Sequence, residues 1–306
     1  MAVQWYPGHM HKAQKDIKEV LSRVDLLIEV LDARIPHSSE NPAIAKLRGD
    51  LPCIKLLNKS DLADPLATEA WQAHLESSRG VRALATSSEQ PAAIKALVSQ
   101  CRQLVPHKGG VGKPVNAMIV GIPNVGKSTI INTLAGRSIA RTGNEPAVTK
   151  AQQRIEIDQS VVLHDTPGIL WPRIDNPNSS YRLATTGAIK DTAMEYDDVC
   201  FFLVEYLLQA YPQLLRERFD LADLPESEIE FLEAAAARRG ALGKGGRVNL
   251  HKICELVIHE LRSGSLGRIT LESPAMIEAE MQQVAEELAR KVAEKAARKQ
   301  RFKKGG

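Results

Sequence analysis

Two short loops, and the order in which the chain presents them, constrain the fold most. The stretch GIPNVGKST, Gly121 to Thr129, fits the pattern G-x-x-x-x-G-K-[ST]. An apolar run, VNAMIV at 115–120, leads into it, and helix-forming residues from Lys127 to about Ala135 follow. That context predicts a strand, a phosphate-binding loop and a helix. Gly121 and Gly126 let the backbone wrap closely. The amides of Asn124, Val125, Gly126, Lys127, Ser128 and Thr129 can then face phosphate oxygens at a helix N-terminus. Lys127 is placed to neutralise β- and γ-phosphates, and Ser128 to ligate Mg2+. Such a unit needs a parallel sheet with crossover helices around it.

The second loop, LLNKSD at Leu56–Asp61, also follows an apolar run, LPCIKLLN at 51–58. Asp61 offers a carboxylate to two adjacent donors, as guanine has on N1 and its exocyclic amine. Adenine would leave that carboxylate unpaired, a difference worth roughly ten-thousand-fold in such sites. Lys59 would lay its stem over the base, Asn58 would brace the loop, and Ser60 completes it. After a further strand, VRALAT at 81–86, Thr86 and Ser87 in ATSS are candidates to meet the guanine oxygen. Downstream, HDTPG places Asp165 at a strand end as a Mg2+ ligand and Gly168 as a sensor of the γ-phosphate. Thr149, in the loop between, is a candidate Mg2+ ligand that engages only with the γ-phosphate, which makes it a switch.

The base-reading loop therefore precedes the phosphate loop, the reverse of the usual order. The halves of a GTPase sheet are exchanged in sequence, which is allowed when the original termini lie close together. The Gly/Pro-rich stretch PHKGGVGKP, 106–114, is the expected joint. Its GGVGK is a decoy, because His107 and Pro114 stand where a phosphate loop needs Gly and Ser or Thr.

Periodicity predicts a helix over 9–24, strands at 25–32 and 51–58, and a helix over 65–78. It further predicts a strand at 81–86, a helix over 91–105, and strands at 115–120, 153–157 and 161–165. The fold class is thus α/β, a circularly permuted P-loop GTPase domain with a mostly parallel sheet and helices on both faces, followed by a smaller all-α domain. The expected division is 1–178 for the GTPase domain, 179–276 for a helical RNA-binding domain and 277–306 for a basic helical extension. In the second part DVCFFLVEYLLQAY, EIEFLEAAAARRG and NLHKICELVIHELRSG read as helices, the last with Asn249 as N-cap and Gly264 as stop. GRITLE reads as a strand. A final helix opens at Ser273 and Pro274, with a packing stripe of Ile277, Met281, Val284, Leu288 and Val292.

No run of eighteen apolar residues exists, and the N-terminal stretch lacks a secretory core, so a cytoplasmic protein without membrane contact is expected. Cys53, Cys101, Cys200 and Cys254 are far apart, without metal-ligand spacing, and read as buried thiols. From Arg290 to Lys304 eight basic residues stand against one acid, Glu294, which favours a polyanionic partner such as RNA.

The permuted order, with WYPGHMHKA at 5–13, DARIPHSSENP at 32–42, GIPNVGKST, DTPGILWP and TGAIKD at 186–191, closely resembles the ribosome biogenesis GTPase A family. The resemblance covers nearly the whole chain and least the extension after about residue 277. It implies GTP hydrolysis, with GTP and GDP as ligands, coupled to late assembly of the large (50S) ribosomal subunit. It also implies contact of the helical domain with rRNA of the subunit precursor, and stimulation by that particle. Many GTPases orient the attacking water with Gln after DxxG, but here that residue is Ile169. The resemblance makes His9 of PGHM the substitute. Capping a helix or touching RNA is the alternative for His9, and His11 lies outside the shared motif. Asn124 resembles the Asn that ligates K+ in potassium-stimulated GTPases. Arg34 reads either as a trans-acting finger or as a loop salt bridge, and Trp5, Tyr6 and Trp171 either stack on bases or pack. The alternative function is a nucleotide-gated rRNA-binding module with incidental hydrolysis.

Overall fold

The computed structural model describes residues 18–110, 112–140, 153–166, 174–243 and 247–304. His9, Thr149 and Gly168 lie outside the described residues, as do Trp5, Tyr6, His11, Ile169 and Trp171.

Six strands make one sheet. They are β1 (Leu26–Asp32), β2 (Cys53–Asn58), β3 (Val81–Ala85), β4 (Val115–Gly121), β5 (Gln153–Glu156) and β6 (Val161–Asp165), in the order β3-β2-β1-β4-β6-β5. All neighbouring pairs are parallel except β5 with β6. β1 and β2 are buried along their whole length, as strands covered on both faces must be, and their apolar runs are interrupted only by the paired Glu29 and Lys55. The strands before the linker form one half of the sheet and those after it the other, and the halves meet where β1 pairs with β4. This is the permuted arrangement that the loop order demanded.

Short helices connect the strands: α1 (Pro36–Ser39), α2 (Pro42–Arg48), α3 (Pro65–Glu76), α4 (Pro91–Lys95), α5 (Leu97–Leu104) and α6 (Lys127–Ala135). α3 starts where Asp64 accepts from the amides of Leu66 and Ala67 with Pro65 behind it. The helix expected over 91–105 is broken at Ala96, whose amide reaches back to both Ala92 and Ile94. Then follow α7 (Pro177–Thr185), α8 (Tyr196–Ala210), α9 (Pro212–Phe219), α10 (Glu228–Arg239), α11 (Leu250–Ser263) and α12 (Pro274–Lys304). Asn249 does cap α11, accepting from the Lys252 amide, and Gly264 ends it in the left-handed region. The four cysteines are free and buried. Apolar residues of the sheet and of α7–α11 form one continuous core, from Val24 through Ile119 to Leu203 and Val257.

Two further expectations fail. GRITLE is not a strand. It is an extended segment laid on the loops that follow β1 and β2, where Ile269 donates to the Leu62 carbonyl at 2.9 Å and Leu271 to the Arg34 carbonyl at 2.8 Å. Ile269, Thr270 and Leu271 look like strand residues because they are buried there, not because they join a sheet. The packing stripe of α12 also stops early. Ile277 is buried, but Met281 is 39% and Val292 68% exposed, because the helix runs past the body it starts from.

Candidate functional site

The parallel strands put Asp32, Asn58, Ala85, Gly121 and Asp165 at one edge of the sheet, where their C-terminal ends meet beside the β1/β4 crossover. Open α/β sheets bind ligands at such a switch point. Gly121 lies opposite Val30, and a Cβ on it would come within 2.6 Å of the Val30 carbonyl oxygen. Gly126 has φ +100° and a Cβ there would strike the Asn58 amide, so both glycines are sterically required. Lys127 opens α6 and is buried. Its ammonium donates to the Gly121 carbonyl at 3.2 Å, and burial, partly opposed by nearby Asp165, lowers its pKa to about 8. Ser128 and Thr129 follow in the first turn, half-buried. Asp165 is almost fully buried, and neither carboxylate oxygen has a hydrogen-bond partner among the described residues. Burial pushes its pKa up to about 6, against the pull of Lys127. Next to it, the Thr166 hydroxyl donates to the Ile119 carbonyl at 2.9 Å and pins the segment to β4.

The base-loop candidates stand alongside. The Asn58 amide donates to the Val125 carbonyl at 2.8 Å, and its Oδ1 accepts from the Thr86 hydroxyl at 3.3 Å. One side chain thus ties together all three loops. Ser60 sits over the same junction, donating through both its amide and its hydroxyl to the Thr86 carbonyl, at 3.1 and 3.0 Å. Ser87 is fully buried and its hydroxyl accepts from the Glu89 amide. Lys59 has φ +60°, unusual for a side-chain-bearing residue, and its ammonium lies 3.0 Å from Asp32 Oδ2. Asp61 has one oxygen, Oδ1, that is buried without a partner among the described residues.

The buried Arg34 guanidinium grips Asp32 with two parallel bonds, Nε to Oδ1 at 2.9 Å and Nη2 to Oδ2 at 2.8 Å. It is the loop salt bridge of the two sequence readings and is too buried to act as a finger elsewhere. Burial alone would raise the Asp32 carboxyl, but Arg34 and Lys59 more than offset it and hold it well below the usual range. Sequence reasoning missed the pairing of Asp32 with Lys59, although the adjacent DAR and NKSD strand ends could have suggested it.

The helical part reaches both loops. The Asn124 side-chain amide donates to the Gly187 carbonyl at 2.9 Å. Arg262 of α11 holds the same turn through the Thr185 and Ala184 carbonyls and Asp191. Arg268 donates to the carbonyls of Ala63 and Ser60. Sequence reasoning also missed Gly187, Arg262 and Arg268, since pairings between residues so distant in the chain leave no local pattern.

A family model described as 50S ribosome-binding GTPase matches residues 116–237. Ribosome biogenesis GTPase A of Priestia megaterium is 44% identical over 286 residues, covering 91% of this chain and 99% of its own. The chain belongs to the ribosome biogenesis GTPase A family. The Thermotoga maritima member is 31% identical over 272 residues, covering 89% of this chain and 95% of its own. Among solved structures, a GDP-bound YlqF matches with a TM-score of 0.61 at 27% identity, covering 85% of this chain and 99% of that one. GNP-bound YlqF from T. maritima matches at 0.60 and 27%, covering 86% and 98%. As a member of the ribosome biogenesis GTPase A family the chain is a GTPase. The family-model match starts in β4, so the 58–61 loop lies upstream of it, in keeping with the permuted order.

Proposed function

We propose that this GTPase serves assembly of the large ribosomal subunit, docking on the precursor and its rRNA with GTP bound and leaving after hydrolysis. The observation that carries the reading is the Asn58–Val125 hydrogen bond, which joins a base loop to a phosphate loop across 67 residues of permuted sequence. In this reading Asn124 to Thr129 and Lys127 hold the phosphates. Asp61 reads the guanine edge, with Lys59 over the base and Thr86 or Ser87 near its oxygen. The buried unpartnered oxygen of Asp61 suits a ligand that brings donors.

The same test supports Mg2+. Asp165 presents two buried oxygens, unpartnered among the described residues, close enough to Lys127 to pull on its charge, and carboxylate oxygens are donors of the hard type that Mg2+ takes. Ser128, Asp165 and the switch residue Thr149 are the proposed holders. Held there, the ion would supply positive charge to offset the charge on the phosphates. K+ rests on Asn124 alone, and turnover in KCl against NaCl at equal ionic strength tests it. Gly168 as γ-phosphate sensor and His9 as the group that positions water complete the proposed set. No helix among the described residues is long and apolar enough to cross a membrane. We take the protein to act in the cytoplasm.

Single-turnover GTP hydrolysis with and without purified large-subunit precursor tests the whole. A strong rise with the particle is expected, and an unchanged rate would defeat the coupling. Tighter calorimetric binding of ATP than GTP would defeat the role of Asp61. His9→Ala should lose the stimulated rate.

A further inference from the structure

We propose that Asp32 is a positioning residue for guanine recognition, holding the Lys59 ammonium and with it the 58–61 loop in the geometry that receives the base. The inference rests on reading 58–61 as the base loop.

β1 and β2 pair in register, with Asp32 directly beside Asn58. The Asp32 carboxylate therefore lies at the root of the loop. It is 3% exposed and takes four donors: the Arg34 amide at 3.1 Å, Arg34 Nε at 2.9 Å, Arg34 Nη2 at 2.8 Å and Lys59 Nζ at 3.0 Å. Arg34 alone would satisfy the charge of this carboxylate. The Lys59 ammonium is a second cation on one anion, and its side chain keeps 25% exposure where the loop opens. An ammonium tied down in that place fixes where its stem can lie.

The backbone shows what is being held. Lys59 sits in the left-handed region, which a side-chain-bearing residue adopts only where its surroundings impose it. The Ala33 amide donates to the Asn58 carbonyl at 2.8 Å, so the DAR turn grips the loop by main chain and side chain together. Arg34 in turn is fixed from behind, because its carbonyl accepts the Leu271 amide. The base loop thus rests on a platform of Asp32 and Arg34.

A role at the base acts on GDP and GTP alike and spares the chemistry at the γ-phosphate. The test compares full-length wild type, Asp32→Asn, Lys59→Met, the double variant and Asp61→Asn by calorimetry with GDP, GTP and ADP, and by GTP turnover. Asp32→Asn should weaken GDP and GTP by the same factor, about tenfold to hundredfold. The preference for GDP over ADP should fall with it, and the loss in turnover should appear in KM with kcat held within about twofold. Lys59→Met should match this loss, and the double variant should add little to either. Wild-type guanine preference in Asp32→Asn, or losses that add in the double variant, would overturn the proposal. A merely structural Asp32 would lower the melting temperature and kcat with the base preference intact, which also overturns it. Should Asp32→Asn fail to fold, Lys59→Met decides, since wild-type preference there is fatal. If Asp61→Asn keeps the preference, the base-loop reading itself fails, and the proposal falls with it.

Discussion

Arg268 donates from Nη2 to the carbonyl oxygen of Ser60 at 3.0 Å, although 208 residues separate them. Its Nε reaches the Ala63 carbonyl at 2.9 Å, so one guanidinium straddles the end of the base loop. The helical part therefore touches the proposed base loop directly. Arg268→Ala removes two hydrogen bonds from a solvent-exposed side chain, so the expected destabilisation is modest, about 1 kcal/mol by urea unfolding. GDP affinity should fall a few-fold with it, because the loop loses its outer support. Unchanged GDP binding in calorimetry would mean that the guanidinium only fastens the two parts together.

The junction deeper in is of a different kind. Arg182 is buried between Glu272, 3.6 Å from its Nη1, and Glu280, 2.6 Å from its Nη2. Glu272 also accepts from the Ser38 amide and hydroxyl, and burial raises its pKa. Arg182→Met would leave Glu272 buried beside no cation. Removing one partner of a buried pair costs roughly 3–5 kcal/mol. Adding Glu272→Gln should restore much of that loss in urea midpoints. A single variant as stable as wild type would show that water reaches Glu272.

These pairings mark what the sequence could and could not tell. The sheet, its permuted order and the strand ends at Asn58, Gly121 and Asp165 are legible in it, because apolar runs and loop patterns are local. Beyond the Arg34 salt bridge, the motif DARIPHSSENP is legible only as a resemblance. Its meaning is tertiary: Asp32 and Arg34 underlie the proposed base loop, Ser38 binds Glu272, and Asn41 caps α2. GRITLE misleads because burial against a loop selects the same β-branched residues as burial in a sheet. The α12 stripe misleads because helical period alone does not say where the partner surface ends.

Glu29 yields a pH prediction. It is buried in β1, 3.4 Å from Lys55, which also pairs with Glu40. Burial raises its pKa above the ordinary 4.5, with Lys55 opposing. The folded state then binds a proton that the unfolded state has released. The stabilising contribution is fully present below pH 4.5 and is lost as pH rises through the raised value. Glu29→Gln should remove this slope. Between about pH 5 and about pH 8, wild-type urea midpoints should fall relative to those of the variant. Parallel curves would place the Glu29 proton elsewhere.

Removing the end of α12 tests its charge. This helix spans 31 residues, about 46 Å at 1.5 Å per residue. Its root is anchored by buried Ile277 and by Glu280, which pairs with Arg182 and accepts from Asn176 and Asn178. The stretch 274–289 carries four glutamates and no Lys or Arg, whereas 290–304 carries eight basic residues and one acid. A helix dipole rewards a cation or two in the last turn, not eight. The charge is better matched to a polyanion, and the rigid root would hold it away from the nucleotide. Deleting 290–306 should therefore weaken binding to an rRNA fragment and reduce the slope of log affinity against log salt. The reduction should be about 0.7 to 0.9 for each phosphate that the shortened chain no longer neutralises. GTP turnover without RNA should stay at its wild-type value, because no residue of the described part of this stretch touches the site. Fluorescence anisotropy between about 50 and about 200 mM KCl measures both affinity and slope. A deletion that leaves both affinity and slope unchanged would assign RNA binding to the helices before α12.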